Sequence, residues 1–121
     1  IRYTDEIQCA AARIVAALRD RDGHFDAFHV RRGEFQYKRT CVSAREMHEI
    51  SKDEIPANAT VYIATDERNK RFFGDMAEHY NLVYLDDFAH LLEGFNTNLY
   101  GMLDQLVASQ SRTFFGCWFS T

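Results

Sequence analysis

The chain has 121 residues, enough for one domain with its own hydrophobic core. Its hydrophobic fraction of 46% and charged fraction of 26% are those of an ordinary soluble globular domain. The formal net charge of -4 argues against a general nucleic-acid or anionic-membrane surface, because such partners require a broad basic face. No apolar run approaches the roughly 20 residues of a membrane-spanning helix.

The cysteines and histidines indicate neither a disulfide framework nor a metal site. Cys9, Cys41 and Cys117 are far apart and form no CxxC pair, and an odd number cannot be fully paired within the chain. The five histidines are scattered, without the HxxxH spacing that puts two ligands on one helical face. We therefore expect no bound metal and no cofactor.

The first third of the chain predicts a helix, a strand and a second helix. Apolar residues recur at three- and four-residue steps from Asp5 to Arg19, as in an amphipathic helix. The nearly continuous apolar run from Phe25 to Val30 is typical of a strand covered on both faces. Ser43 and Glu46 form a capping box for a short helix through about Ser51.

The rest of the chain continues the alternation. Strands are predicted at Thr60 to Thr65, Leu82 to Leu85 and Arg112 to Phe119. Between them, a helix is predicted over residues 68–80, with apolar residues including Ala77 on one side and Gly74 as a weak point. A last helix carries apolar residues from Leu99 to Val107, with Asn98 as its cap. This order predicts an α/β domain with a mostly parallel sheet, because parallel neighbours need helical crossovers.

Charged and hydroxyl residues follow each predicted strand. Ligands of such open sheets bind at the carboxyl ends of the strands, so these residues are candidates for one binding crevice. The four groups are His29 with Arg31 and Arg32, Thr65 with Asp66, Asp86 with Asp87, and Ser120 with Thr121.

The arginine pair is the most informative of these groups. Arg31 and Arg32 stand between a strand and Gly33, where a planar fork of permanently charged donors suits phosphate oxygens. With a carboxylate and a hydroxyl-bearing helix start, they suit a nucleoside diphosphate. No GxGxxG or GxxxxGK[ST] loop is present, which excludes the common dinucleotide and P-loop motifs.

Structural interpretations remain open for single residues. Asp66 either reads a guanine edge or ribose hydroxyl or caps the following helix. His29 is either a ligand contact or a core histidine held by a backbone carbonyl. Asp86 and Asp87 fit a solvated turn better than a site.

Three segments in this order resemble the GDP-fucose-dependent protein O-fucosyltransferases and their α1,6-fucosyltransferase relatives. They are the HxRR-G-acid-F stretch from His29 to Phe35, the ATD at Ala64 to Asp66, and an FxGxxxST-like segment from Phe114 to Thr121. Asp104-Gln105 also matches the family's usual DQ. Together they span about three quarters of the chain.

The resemblance implies a Rossmann-like domain with helices on both faces, the C-terminal donor-binding half of a GT-B glycosyltransferase. It implies that Arg31 contacts the β-phosphate of GDP-fucose, the donor substrate, as the catalytic residue, and that Arg32 assists. His29 and Asp66 would read the guanine, and Ser120 and Thr121 would hold the phosphates. Glu34 stands where the family often has aspartate, a departure that weakens the case for a direct role.

The resemblance also implies what lies outside residues 1–121. An N-terminal acceptor domain and a final helix are expected to be missing, so we expect weak nucleotide binding and no transfer by the chain alone. The implied partners are the nucleotide sugar and an acceptor protein or glycan, without nucleic acid or membrane contact. In a eukaryote the implied location is the lumen of the ER or Golgi, where Asn58-Ala59-Thr60 fits the N-glycosylation pattern.

Two other functional classes compete with a transferase. One is a degenerate, non-catalytic transferase-like module that binds protein or glycan. The other is an unrelated flavodoxin-like domain, which a different strand order and binding of a flavin nucleotide would distinguish.

Overall fold

The computed structural model describes residues 5–30, 44–65 and 70–117, and the structural statements below concern these residues. The helices are α1 (Asp5–Asp22), α2 (Ala44–Ser51), α3 (Gly74–Ala77) and α4 (Tyr100–Ser109), and the strands are β1 (Asp26–Val30), β2 (Thr60–Thr65), β3 (Asn81–Tyr84) and β4 (Phe114–Cys117). Short 3-10 turns occupy Lys70–Phe73, Leu85–Leu91 and Thr97–Leu99. None of the helices in these ranges is long and apolar enough to cross a membrane.

The four strands form one parallel sheet in the order β3-β2-β1-β4. This confirms the predicted α/β class with a parallel sheet. The order is that of the first four strands of a Rossmann fold, whereas a flavodoxin-like domain places β1 beside β3. Because β1 lies here between β2 and β4, the flavodoxin-like alternative is wrong.

Helices cover both faces of the sheet. On the first face, α1 and α4 pack together and bury side chains that include Ile14, Leu18, Leu103 and Val107. Burial of such a side chain stabilises a fold by about 1.5–3 kcal/mol. The two longest helices therefore hold one side of the sheet through a continuous apolar contact.

The second face is covered by shorter elements. Met47 of α2 and Phe73 and Met76 near α3 pack against Phe28 of β1 and Ile63 of β2. Both faces of the two central strands are thus buried, which explains why their sequences are nearly continuous apolar runs. The Rossmann-like, doubly wound architecture follows from this arrangement.

Helix α1 is three residues longer than its apolar spacing indicates. Gly23 has a φ of +82° and donates its N–H to the carbonyl of Arg19 at 2.6 Å. A glycine in the left-handed region is the usual residue after a helix end, since it has no Cβ to clash. The helix therefore continues to Asp22 and stops at the glycine.

The predicted helix over residues 68–80 is only partly present. Its described part is the 3-10 turn at Lys70–Phe73 followed by the single-turn α3, and Ala77 is exposed instead of buried. The break falls between Phe73 and Gly74, the weak point in the pattern, and Phe73 has non-helical dihedral angles there. A low helix propensity at Gly74 is the physical reason for the break.

The cap before α4 also differs from its prediction. Asn96, not Asn98, supplies the side chain, and its Oδ1 accepts a hydrogen bond from the Asn98 N–H at 2.9 Å. Asn98 lies within a 3-10 turn that precedes α4. Two asparagines with the same capping chemistry stand two residues apart, and local sequence does not distinguish them.

Candidate functional site

Three neighbouring strands end level with one another at the carboxyl edge of the sheet. Val30 of β1 pairs with Thr65 of β2 on one side and with Cys117 of β4 on the other. The chain therefore leaves the sheet at three adjacent points, and the predicted site segments follow directly from them. Arg31 and Arg32 follow β1, Asp66 follows β2, and Ser120 and Thr121 follow β4.

Most of the predicted site residues lie outside the described ranges. They are Arg31, Arg32, Asp66, Ser120 and Thr121. Ser43, the predicted first residue of the capping box, also lies outside them, although α2 begins directly after it. The structure thus describes the strands that lead to these residues, and the roles of the residues themselves stay predictions.

The edge also contains the point at which the winding of the fold reverses. From β1 the chain adds β2 and then β3 on one side, through α2 and α3 on the second face. It then returns through α4 on the first face and adds β4 on the other side of β1. Ligands of doubly wound sheets bind in the crevice at such a switch point. The switch lies between β1 and β4, beside His29 and Val30 at the end of β1.

His29 is the one residue with a ligand role implied by the family resemblance that the structure describes. It pairs with Ala64 of β2 and Gly116 of β4 and is half-buried. Since side chains alternate along a strand, it shares the first face with Ala27, the face that α1 and α4 cover. His29 therefore lies one residue before the edge at the centre of the sheet, beside the switch point.

Thr65 joins two of the strand ends. Its hydroxyl donates a hydrogen bond to the carbonyl of Val30 at 2.6 Å. This bond ties the last residue of β2 to the last residue of β1, directly before Asp66 and Arg31. The threonine of the ATD segment thus positions the ends of two strands.

Asp104 is a half-buried carboxyl group that the sequence identifies only as part of a short motif. It projects from α4 on the first face, and its Oδ1 accepts a hydrogen bond from the hydroxyl of Tyr62 at 2.5 Å. Burial, opposed by the hydrogen bond from Tyr62 and assisted by the charge of nearby Asp86, raises the pKa of Asp104 to about 7. Burial, followed by the charge of Asp104, also raises the pKa of the Tyr62 hydroxyl.

The sequence contains one signal that Asp104 is unusual. Its neighbours Leu103, Val107 and Ala108 form the buried side of α4, and an acidic residue beside such positions needs a partner. That partner, Tyr62, is 42 residues away in the sequence, so spacing alone does not reveal it. A perturbed carboxyl in a ligand-binding fold is a candidate functional group, and Asp104 lies on the same face as His29.

The aspartates after β3 form a turn, in agreement with the interpretation that the sequence favoured. The carboxylate of Asp87 accepts a hydrogen bond from the N–H of Tyr84 at 2.9 Å, which closes the start of the 3-10 segment. Asp86 is largely exposed and lies 3.8 Å from the ammonium group of Lys70. This pair contributes little to stability because water screens both charges.

The amino edge contains the one charged side chain that is fully buried among the described residues. Asp26, at the start of β1, is fully buried and accepts hydrogen bonds from Nε and Nη2 of Arg112 at 3.1 and 2.7 Å. A bidentate pair of this kind is among the stronger contacts between charged side chains. It joins the start of β1 to the segment before β4, at the opposite edge from the candidate site.

Comparison with known proteins gives one result. The family model for GDP-fucose protein O-fucosyltransferase matches residues 1–121. Neither the curated proteins nor the solved structures give a significant match. The family match extends over the whole chain, and the parallel sheet ends at the segments that suggested the family from sequence. The chain therefore belongs to the GDP-fucose protein O-fucosyltransferase family.

Proposed function

We propose that this chain is the donor-binding domain of an inverting, GT-B-type fucosyltransferase that moves fucose from GDP-fucose to a Ser/Thr hydroxyl of a protein or to a glycan. The family supports a glycosyltransferase that uses GDP-fucose. One structural observation carries the assignment of the donor site: β2, β1 and β4 end level at the switch point of the sheet. That edge is where doubly wound folds bind nucleotides.

Arg31 is the proposed catalytic residue. As the bond between fucose and GDP breaks, the sugar gains positive charge and the departing diphosphate gains negative charge. A guanidinium at the β-phosphate stabilises this transition state more than the ground state, because the phosphate carries more charge there. Arginine suits the role because it stays protonated and can donate two parallel hydrogen bonds.

The other assignments are those that the family resemblance implies. His29 and Asp66 are proposed to recognise the guanine, and Ser120 and Thr121 to hold the phosphates. Arg32 supports Arg31 by adding positive charge to the same segment. With two arginines next to the diphosphate, the proposal requires no divalent cation.

The domain alone is proposed to bind the donor without completing the transfer. Transfer also needs a surface that holds the acceptor hydroxyl in line with the departing diphosphate and a group that takes its proton. The proposal assigns neither to these 121 residues. A mass-spectrometric assay that detects fucose transfer by the isolated chain would contradict this part of the proposal.

Calorimetric titration with GDP, with and without magnesium, tests the donor site. We expect metal-independent binding that Arg31→Ala weakens about tenfold or more, as expected for loss of a charge-assisted contact. Arg13→Ala is the matched control, since Arg13 is exposed on α1 and its loss removes the same charge from a distant surface. A folded wild-type chain that ignores GDP would overturn the proposal in favour of a non-catalytic module.

A further inference from the structure

The turn before β2 presents an exposed asparagine at the edge of the sheet that lies opposite the candidate donor site. Asn58 is followed by Ala59 and Thr60, the N-x-Thr pattern that N-glycosylation requires. It has a φ of +67°, in the left-handed region that asparagine tolerates better than most residues. The pattern therefore coincides with a surface turn in the fold.

The backbone of this turn is fixed by hydrogen bonds, whereas the side chain of Asn58 is not. The N–H of Asn58 donates to the carbonyl of His79 at 2.7 Å, and the carbonyl of Asn58 accepts from the side-chain amide of Asn81 at 2.9 Å. Within the described ranges, the side-chain amide of Asn58 makes no hydrogen bond and is exposed to solvent. A group attached to that amide would displace no contact of the fold.

The position is also compatible with the proposed function. Asn58 precedes the amino end of β2, and the donor site follows its carboxyl end at Thr65. Five residue steps along β2 amount to about 17 Å. A glycan on Asn58 would therefore extend from the amino edge and leave the carboxyl edge open.

We propose that Asn58 is an N-glycosylation site that carries an oligosaccharide delivered from a lipid diphosphate. In the reaction the bond from the sugar C1 to the lipid diphosphate oxygen breaks and a bond from C1 to Nδ2 of Asn58 forms. The amide loses a proton to the transferring enzyme, and the lipid diphosphate leaves. The inference depends on passage through the secretory lumen, where members of this family typically reside, and not on GDP binding.

The timing of the modification follows from the burial of Thr60. Its side chain is buried in the folded domain, where it begins β2. The transferring enzyme must read the threonine hydroxyl together with the asparagine, so modification precedes closure of the sheet. The nascent chain is the substrate, and the folded chain is not.

To test this, the chain is expressed with a cleavable signal sequence and secreted. The secreted protein is deglycosylated enzymatically in heavy-oxygen water, and mass spectrometry then measures glycan occupancy at residue 58. We expect most secreted chains to carry one glycan, which Asn58→Asp and Thr60→Val abolish and Thr60→Ser retains. Asn58→Asp keeps the size and the left-handed tolerance of the residue, so it reports on the acceptor amide and not on the turn.

An internal reference makes a negative result decisive. Asn98→Thr places a hydroxyl two residues after the exposed Asn96 and so creates a second acceptor in the same chain. Occupancy at Asn58 is scored only in molecules that carry a glycan at Asn96, since these have met the transferring enzyme. An unmodified Asn58 in those molecules would overturn the inference, whatever the affinity of the chain for GDP.

Discussion

Two carboxyl groups, one at the amino edge of the sheet and one on its first face, are held in opposite ways. At the amino edge, both oxygens of Asp26 are matched by the guanidinium of Arg112. On the first face, near the turn that follows β3, Asp104 has the neutral hydroxyl of Tyr62 as its described hydrogen-bond partner, and its pKa is raised to about 7. A carboxylate matched by a cation stabilises the structure, whereas one held without a cation stays sensitive to pH and to ligands. Asp26 therefore serves the fold, whereas the charge of Asp104 changes with pH near neutrality.

The largest expected effect is the loss of the matched charge. Arg112→Leu leaves the carboxylate of Asp26 buried without its cation, and we expect the free energy of unfolding to fall by about 3 kcal/mol. Urea denaturation measures this loss. In the double variant Asp26→Asn/Arg112→Leu the buried charge is gone as well, so part of the stability should return. A single variant as stable as the wild type would show that Asp26 does not need its partner.

The second prediction concerns the pH dependence that Asp104 introduces. Its pKa is raised in the folded state from its ordinary value of 3.8 to about 7, so between about pH 4 and 7 the folded chain holds a proton that the unfolded chain releases. The stabilisation is complete below the unfolded pKa and is lost as the pH rises through 7. Relative to the Asp104→Asn variant, the unfolding free energy of the wild-type chain should fall across this pH window by on the order of a few kcal/mol at most.

Urea denaturation of both chains at a series of pH values tests the sign as well as the size of this effect. The difference in unfolding free energy between them should grow from about pH 4 to 7 and then level off. Parallel curves, or a wild-type chain that gains stability over that window, would contradict the assignment of a raised pKa to Asp104.

The smallest expected effect lies on the second face near the amino edge. The hydroxyls of Tyr80 and Ser51, both buried, lie 2.9 Å apart. Tyr80→Phe should cost about 1 kcal/mol, the usual net value of one hydrogen bond. The loss stays small because the Ser51 hydroxyl also donates to the carbonyl of His48 at 3.3 Å.

Tyr84→Phe is the matched control for this substitution. Tyr84 is half-buried, and the Lys70 ammonium that lies 4.6 Å from the centre of its ring would keep that contact with phenylalanine. Loss of the Tyr84 hydroxyl should therefore leave the unfolding free energy nearly unchanged. Equal losses in the two variants would show that the bond to Ser51 contributes no specific stability.

The sequence was most informative where burial is continuous. The strand predicted at Thr60 to Thr65 has those bounds in the structure, and β1 begins one residue later than predicted. Both are central strands, so nearly every residue faces apolar neighbours and the pattern is strong. The parallel topology then follows from the helical crossovers, and so does the common edge at which the candidate residues follow the strands.

The failures have local physical causes. The 68–80 prediction treated apolar spacing as one helix, but the chain breaks at Gly74, and only Phe73, Met76 and Tyr80 are fully buried on that side. The low helix propensity of Gly74 conflicts there with the helical spacing of the apolar residues. Which of the two prevails depends on packing against β3. Tyr62 and Asp104 are joined by a contact between distant parts of the chain, which no local pattern encodes.

The most direct test of the account is hydrogen exchange of the whole chain with and without GDP. We predict slower exchange on GDP binding in peptides that cover residues 28–35, 64–70 and 114–121, which contain the carboxyl ends of β1, β2 and β4. Peptides across the Asn58 turn and the start of β3 should exchange at unchanged rates, because they lie at the amino edge. Protection confined to the amino edge, or to the helices of the first face, would contradict a donor site at the switch point.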